Sequence, residues 1–223
     1  MKDLRLYIIC LFLSALISND DCDNCYNPLA NAGEDQIHYI GCSANHTLVC
    51  LDASNSYDYE ATRNVAPLLT CNWNQDSPWN QMCPEDQDGP GGNVYVGCVA
   101  VAMSQVMYYW GNPLEGNGYS QYYDQQHGII SVNFENYQYN FDNMLDDNPT
   151  YDSQLLLYHA GVAVNMDYNP WGSGASVCWD GPSAQHALDY HFSYNDEITC
   201  VPKINYSDTE WEMLIKDQLD RGW

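Results

Sequence analysis

Between Cys98 and Trp110 the apolar residues Val99, Ala102, Met103, Val106, Met107 and Trp110 recur at steps of three and one, a spacing that lines them up on one buried face of an α-helix. Pro113 and the run Gly116–Asn117–Gly118 are expected to end it. A tyrosine-rich stretch from Tyr119 to Phe141 follows and contains a strand signal in "GIISVNF". The run "SQLLLYHAGVAVNM" then predicts a second, strongly apolar helix, with His159 inside it. "WGSGAS" reads as a loop and "PSAQHALDYHF" as a short helix. A last helix is opened by Ser207 with Glu210 three residues on, the signature of a capping box, and carries a stripe of Trp211, Leu214, Ile215 and Leu219. The segment from Val65 to Gly92 is rich in Pro, Asn and Trp, has no sustained period and reads as loop.

The amino-terminal part has a different texture. Lys2 and Arg5 precede an apolar run from Leu6 to Ile17, the arrangement of a secretory signal, so residues 1–18 are expected to be a signal peptide. That run is shorter than the ~20 residues that span a bilayer, and no later segment qualifies, so no membrane association is expected after cleavage. Cys10 and Cys22 follow no small-residue lipidation pattern. Residues 19–64 alternate short strand signals with Gly, Asn, Asp and Ser turns. The pieces "ANAGEDQ" and "LDASNSYD" resemble the opening of a PKD-type immunoglobulin-like domain, of which about the first half is matched. The expected organisation is a signal peptide (1–18), a partial PKD-like β segment (19–64) and one further domain (65–223).

Charge narrows the partners. The 223-residue chain carries a formal net charge of −24, and past the leader its basic residues are Arg63, Lys203, Lys216 and Arg221. Such a polyanion repels phosphates, which excludes nucleic acid. Of the ten cysteines, Cys10 lies in the leader and nine remain, in a compartment where thiols normally pair. An odd number leaves at least one free or bridged to another chain, a candidate reactive thiol. Cys22 and Cys25 have the spacing of half a zinc site, but Cys42 and Cys50 supply no matching second half, so disulfides are the expected use.

Cys98 follows Gly97 at the start of the first amphipathic helix, where unsatisfied amides and the helix dipole favour a thiolate. On position alone a buried structural cysteine fits equally well. Four ordered blocks add to this: "NWNQDSPWNQMCP", "GCVAVAMSQVMYYWGNPLEGNGY", "HAGVAVNMDYNPWGSGAS" and "SDTEWEMLIKDQLDRG". Together they resemble, from about Val65 onward, the streptopain family of cysteine peptidases. The resemblance implies an α+β, papain-like fold and hydrolysis of peptide bonds. Cys98 falls on the family's nucleophile, which forms the acyl-enzyme. Gln75 falls on the oxyanion residue, whose side-chain amide acts beside the Cys98 backbone amide in a role worth about 2.7–4 kcal/mol. Ser173 and Gly174 fall on a loop bordering the substrate cleft.

One departure qualifies this reading. The family's catalytic histidine, in a Gly-His context before a Trp-Gly-rich strand, lies beyond the position where this sequence ends. The fold is therefore expected to be incomplete, with the Cys-bearing helical half present and most of the His-bearing β half absent. His38, His46, His127, His159, His186 and His191 match no catalytic position and are expected to be structural or superficial. The usual inhibitory propeptide also has no counterpart before Val65. The expectation is a secreted bacterial cysteine endopeptidase acting on protein or peptide substrates without a cofactor or metal, and inactive as the chain stands. The alternative is a non-catalytic secreted adhesion or binding protein carrying an inactive peptidase-like module.

Overall fold

The computed structural model describes residues 65–178, 181–194 and 198–222, and the backbone of three strands, β1 (Tyr7–Ile9), β2 (His38–Cys42) and β3 (His46–Cys50). The rest of the expected leader and of the PKD-like segment lies outside the described residues. Those described fall into two compact units. One comprises β1 and Pro67–Asn205, and the other comprises β2, β3, Val65, Ala66 and residues 206–222.

The first unit is built on two helices of equal length. α1 (Cys98–Trp110) buries Val99, Ala100, Met103, Ser104 and Met107 and packs against α2. The period is the expected one, but the buried face is turned so that Ala102 is exposed and the small Ala100 and Ser104 take the inner positions. α1 ends earlier than Pro113. Gly111 adopts a left-handed conformation (φ 58°) and its N–H closes onto the Met107 and Tyr108 carbonyls, a geometry that favours glycine.

α2 (Tyr151–Ala163) is buried over most of its surface, with Leu155, Leu156 and Leu157 consecutive in the core and Tyr151 exposed at its start. It begins two residues before the expected run. Thr150 Oγ1 accepts from the Ser153 N–H at 3.2 Å and Ser153 Oγ accepts from the Thr150 N–H at 2.8 Å, a reciprocal cap that fixes its first turn.

Between the helices runs a hairpin of β4 (Tyr119–Asp124) and β5 (Gly128–Asn133), in register from Tyr119 opposite Asn133 to Asp124 opposite Gly128. β5 was legible as a strand, while β4 was hidden in a run of tyrosines. Ile130 and Val132 point inward, whereas Tyr119, Tyr123 and Ile129 face outward.

The core gathers Val94, Val96, Met107, Phe134, Leu156, Met166, Tyr168 and Phe192. "PSAQHALDYHF" forms α3 (Ala184–His186) and one wider turn, Ala187–His191, rather than a continuous regular helix. β6 (Thr199–Val201) pairs in parallel with β1, and a disulfide joins Cys178 to Cys200. Cys71 and Cys83 are free and buried.

In the second unit β2 and β3 form an antiparallel hairpin. α4 (Asp208–Asp220) has the expected capping box: Glu210 Oε2 accepts from the Ser207 N–H at 2.9 Å, and Ser207 Oγ accepts from the Glu210 N–H at 3.3 Å. Its buried positions are Trp211 and Gln218, whereas Leu219, expected on the apolar stripe, is 40% exposed. Gln218 sits a full two turns from Trp211, and Leu219 falls about 100° further round the helix.

Candidate active site

Residues 93–97 lead directly into Cys98, and each is held from outside its own segment. Asn80, fully buried, donates through Nδ2 to the carbonyls of Pro90 (2.8 Å), Asn93 (3.1 Å) and Val94 (3.1 Å). Asn93 Nδ2 donates to the Cys83 carbonyl at 2.9 Å, and the Val94 N–H donates to the Pro84 carbonyl at 3.0 Å. The Val96 N–H donates to the Gln75 carbonyl at 2.9 Å. The Tyr95 carbonyl accepts from Ser173 Oγ at 2.6 Å. Gly97 has φ 93°, and a Cβ there would lie 2.6 Å from both Sδ and Cε of Met166. Backbone conformation and close packing both require glycine before the cysteine.

Cys98 is thereby presented as the first residue of α1. No side chain caps this helix start, and no acidic residue occupies its first turn. The first-turn amides have no intrahelical acceptors, and an anion at this position is favoured. Cys98 is the exposed free thiol among the described residues. Burial pushes the Cys83 thiol up to about 12 and raises that of Cys71, which keeps both as buried, protonated side chains.

The sequence-derived site residues converge on this lead-in. Gln75 is tied by its carbonyl to Val96, two residues before the thiol. Ser173 reaches Tyr95, and its carbonyl lies 3.3 Å from where a Gly97 Cβ would stand. The Ser173 hydroxyl is committed within the protein, since it also accepts from the Asn169 N–H at 3.1 Å. Gly174 exchanges two backbone hydrogen bonds with Asp167, at 2.9 and 3.2 Å, closing the loop that carries Ser173.

The described histidine side chains are engaged elsewhere. His159 is buried against Phe134, Tyr137, Tyr139 and Tyr158, with Nδ1 2.9 Å from the Tyr139 hydroxyl, and burial lowers its pKa to about 4. His191 Nδ1 donates to the Asn117 carbonyl at 2.9 Å and is likewise held below its ordinary value by burial. His186 stacks on Tyr190. His127 Nδ1 sits 2.8 Å from Asp124, and its Nε2 lies 3.5 Å from Asp86.

Two features carried no sequence signal. Asn80 and Asp124 look like ordinary loop and strand-end polar residues, yet both are buried. Burial works against the Asp124 charge, but the His127 amide and ring and the Gln126 and Tyr168 amides outweigh it and hold the carboxyl below the usual carboxylate range. A shallow groove of about 530 Å³, lined by Leu68, Tyr108, Trp110 and Phe141 among others, lies at the opposite end of α1. With a rise of 1.5 Å per residue the helix ends are about 18 Å apart, so the groove does not adjoin Cys98. Among the described residues there is no metal-binding cluster, and no helix is long and apolar enough to cross a membrane.

Comparison with known proteins places this geometry. Streptopain of Streptococcus pyogenes is 26% identical over 175 residues, covering 67% of this chain and 42% of that protein. The thiol protease/hemagglutinin PrtT of Porphyromonas gingivalis is 26% identical over 174 residues, covering 70% of this chain and 19% of that protein. The chain thus spans less than half the length of these curated relatives. The structure of active wild-type interpain A, a cysteine protease of Prevotella intermedia, superposes with a TM-score of 0.60 at 30% identity, over 71% of this chain and 66% of that one. The described fold is accordingly the helical, cysteine-bearing part of a papain-like α+β architecture. The sequence profile of the Peptidase C10 family matches residues 73–223, well over half of the chain, and the protein belongs to that family.

Proposed function

We propose that this chain carries the nucleophile-bearing part of a secreted bacterial cysteine endopeptidase. The observation that carries the reading is the exposed Cys98 thiol on an uncapped helix start, presented by a lead-in held on all sides. The Cys98 thiolate attacks the scissile carbonyl of a protein or peptide substrate and becomes the acyl-enzyme, which water then hydrolyses. The Cys98 backbone N–H and the Gln75 side-chain amide donate to the oxyanion that develops on that carbonyl. The loop of Ser173 and Gly174 borders the cleft. Since the Ser173 hydroxyl is occupied by Tyr95, its contribution is to hold that wall in place while backbone groups face the substrate.

Proton transfer needs a base. His127, His159, His186 and His191 are all engaged with other partners, and none of them takes this role. The 223-residue chain by itself is accordingly expected to alkylate readily and to leave casein intact.

The test is the rate at which Cys98 reacts with a thiol-directed epoxide or iodoacetamide at mildly acidic pH, with Cys98→Ala as the blank. Modification at least about tenfold faster than free cysteine is expected for an activated thiolate. A rate equal to that of free cysteine would overturn the reading and favour a binding protein with an inactive peptidase-like module.

A further inference from the structure

The loop that packs against Gly97 is itself gripped by a strand. On β4 the Tyr122 hydroxyl donates to the Met166 carbonyl at 2.8 Å, and two residues on Asp124 Oδ2 accepts from the Tyr168 N–H at 3.1 Å. The two side chains lie on the same face of the strand and hold both ends of the three-residue segment 166–168. The residue between, Asp167, turns its own N–H and carbonyl the other way, to Gly174. At the near end the Met166 thioether packs where a Gly97 side chain would be.

Asp124 is anchored in turn. It is 3% exposed, and its Oδ1 accepts from the N–H groups of Gln126 (2.9 Å) and His127 (2.8 Å) and contacts His127 Nδ1 at 2.8 Å. An unbroken series of short contacts therefore runs from the hairpin turn through segment 166–168 to Gly97 on one side and to Gly174 on the other.

We propose that Tyr122 and Asp124 are positioning residues for Cys98, fixing through Met166 and Gly97 the aim of the first α1 amides and through Asp167 the cleft wall at Gly174. This rests on the reading of Cys98 as the nucleophile. Neither residue touches the substrate. They act by holding segment 166–168 in one arrangement, because the Met166 carbonyl and the Tyr168 N–H at its two ends are each satisfied by one fixed side chain.

The experiment follows Cys98 alkylation by iodoacetamide in the full chain across pH, with the modified peptide identified by mass spectrometry and thermal unfolding recorded in parallel. Tyr122→Phe removes one hydroxyl and keeps the ring. Asp124→Asn keeps the shape but turns an amide N–H toward another N–H on one of its two sides. The maximal rate is expected to fall about threefold for Tyr122→Phe and about tenfold for Asp124→Asn, the scale of a small misplacement at a reacting group. The pH at which the rate is half-maximal is expected to rise in both, since the thiolate loses aligned amides. A lower melting temperature with the wild-type rate and pH profile would reduce the pair to scaffold and overturn the proposal. If Asp124→Asn gives no folded protein, Tyr122→Phe decides alone. Wild-type labelling no faster than that of free cysteine would instead sink the nucleophile reading, whatever the variants do.

Discussion

α1 and α2 have the same length, thirteen residues each, and begin in opposite ways. α2 opens on a closed cap, with Thr150 and Ser153 exchanging hydrogen bonds and Asp152 adding negative charge in the first turn. α1 opens on Gly97 with no capping side chain and no acid. Its start is held instead by the backbone before it, through Gln75, Ser173 and Met166. A capped helix start stabilises itself locally and has fewer free amides to offer a ligand. An uncapped one leaves its amides available, and the stability forgone there is supplied by the tertiary contacts that hold the lead-in. The bodies of the helices differ to match: α2 is buried over most of its surface, while α1 keeps one side more open.

The largest expected effect concerns the enclosed helix. His159 has a folded pKa of about 4, lowered by burial. Since this lies below the ordinary value of about 6.5, the unfolded chain takes up the proton first, and stability falls as pH drops from about 6.5 to about 4, then levels. The loss is on the order of 3 kcal/mol, and His191 adds in the same direction. Urea midpoints measured at steps across that range should show the fall in the wild type and most of it gone in His159→Gln.

Next comes the start of α1. Gly97→Ala places a Cβ against Met166 at a positive φ, costing about 2 kcal/mol, and should slow Cys98 alkylation as well. Loss of stability with an unchanged alkylation rate would show that the lead-in does not aim the thiol. The smallest effect is at the other helix start. Thr150→Ala should cost about 1 kcal/mol in a thermal or urea melt and leave Cys98 labelling untouched. Equal effects of these two substitutions on labelling would erase the distinction between the two helix starts.

The helix that Cys98 opens was legible because its signals are local. The three-and-four spacing of Val99, Met103 and Met107 marks a helix, and glycine before Cys98 marks its start. The Ser207–Glu210 box was equally plain, since both partners lie within one turn. The Thr150–Ser153 cap is as local but gives no signal of its own, because its serine falls within the apolar run of α2. Ala102 and Leu219 were placed inside on period alone. The observed faces are turned from that expectation, and period fixes a face only to within about one residue step, roughly 100°.

The sequence by itself determined the family and the helix that Cys98 opens, because those rest on residue types in short, ordered blocks. Only the tertiary structure decided what surrounds them. That Ser173 holds Tyr95 across 78 positions, that Asp124 holds Tyr168 across 44, and that Met166 fills the space a side chain at Gly97 would need are outcomes of packing. Each depends on how β4, α2 and the loop after α2 come together. A polar residue reads the same in a sequence whether its partner is water or a backbone group forty residues away, and burial makes the difference.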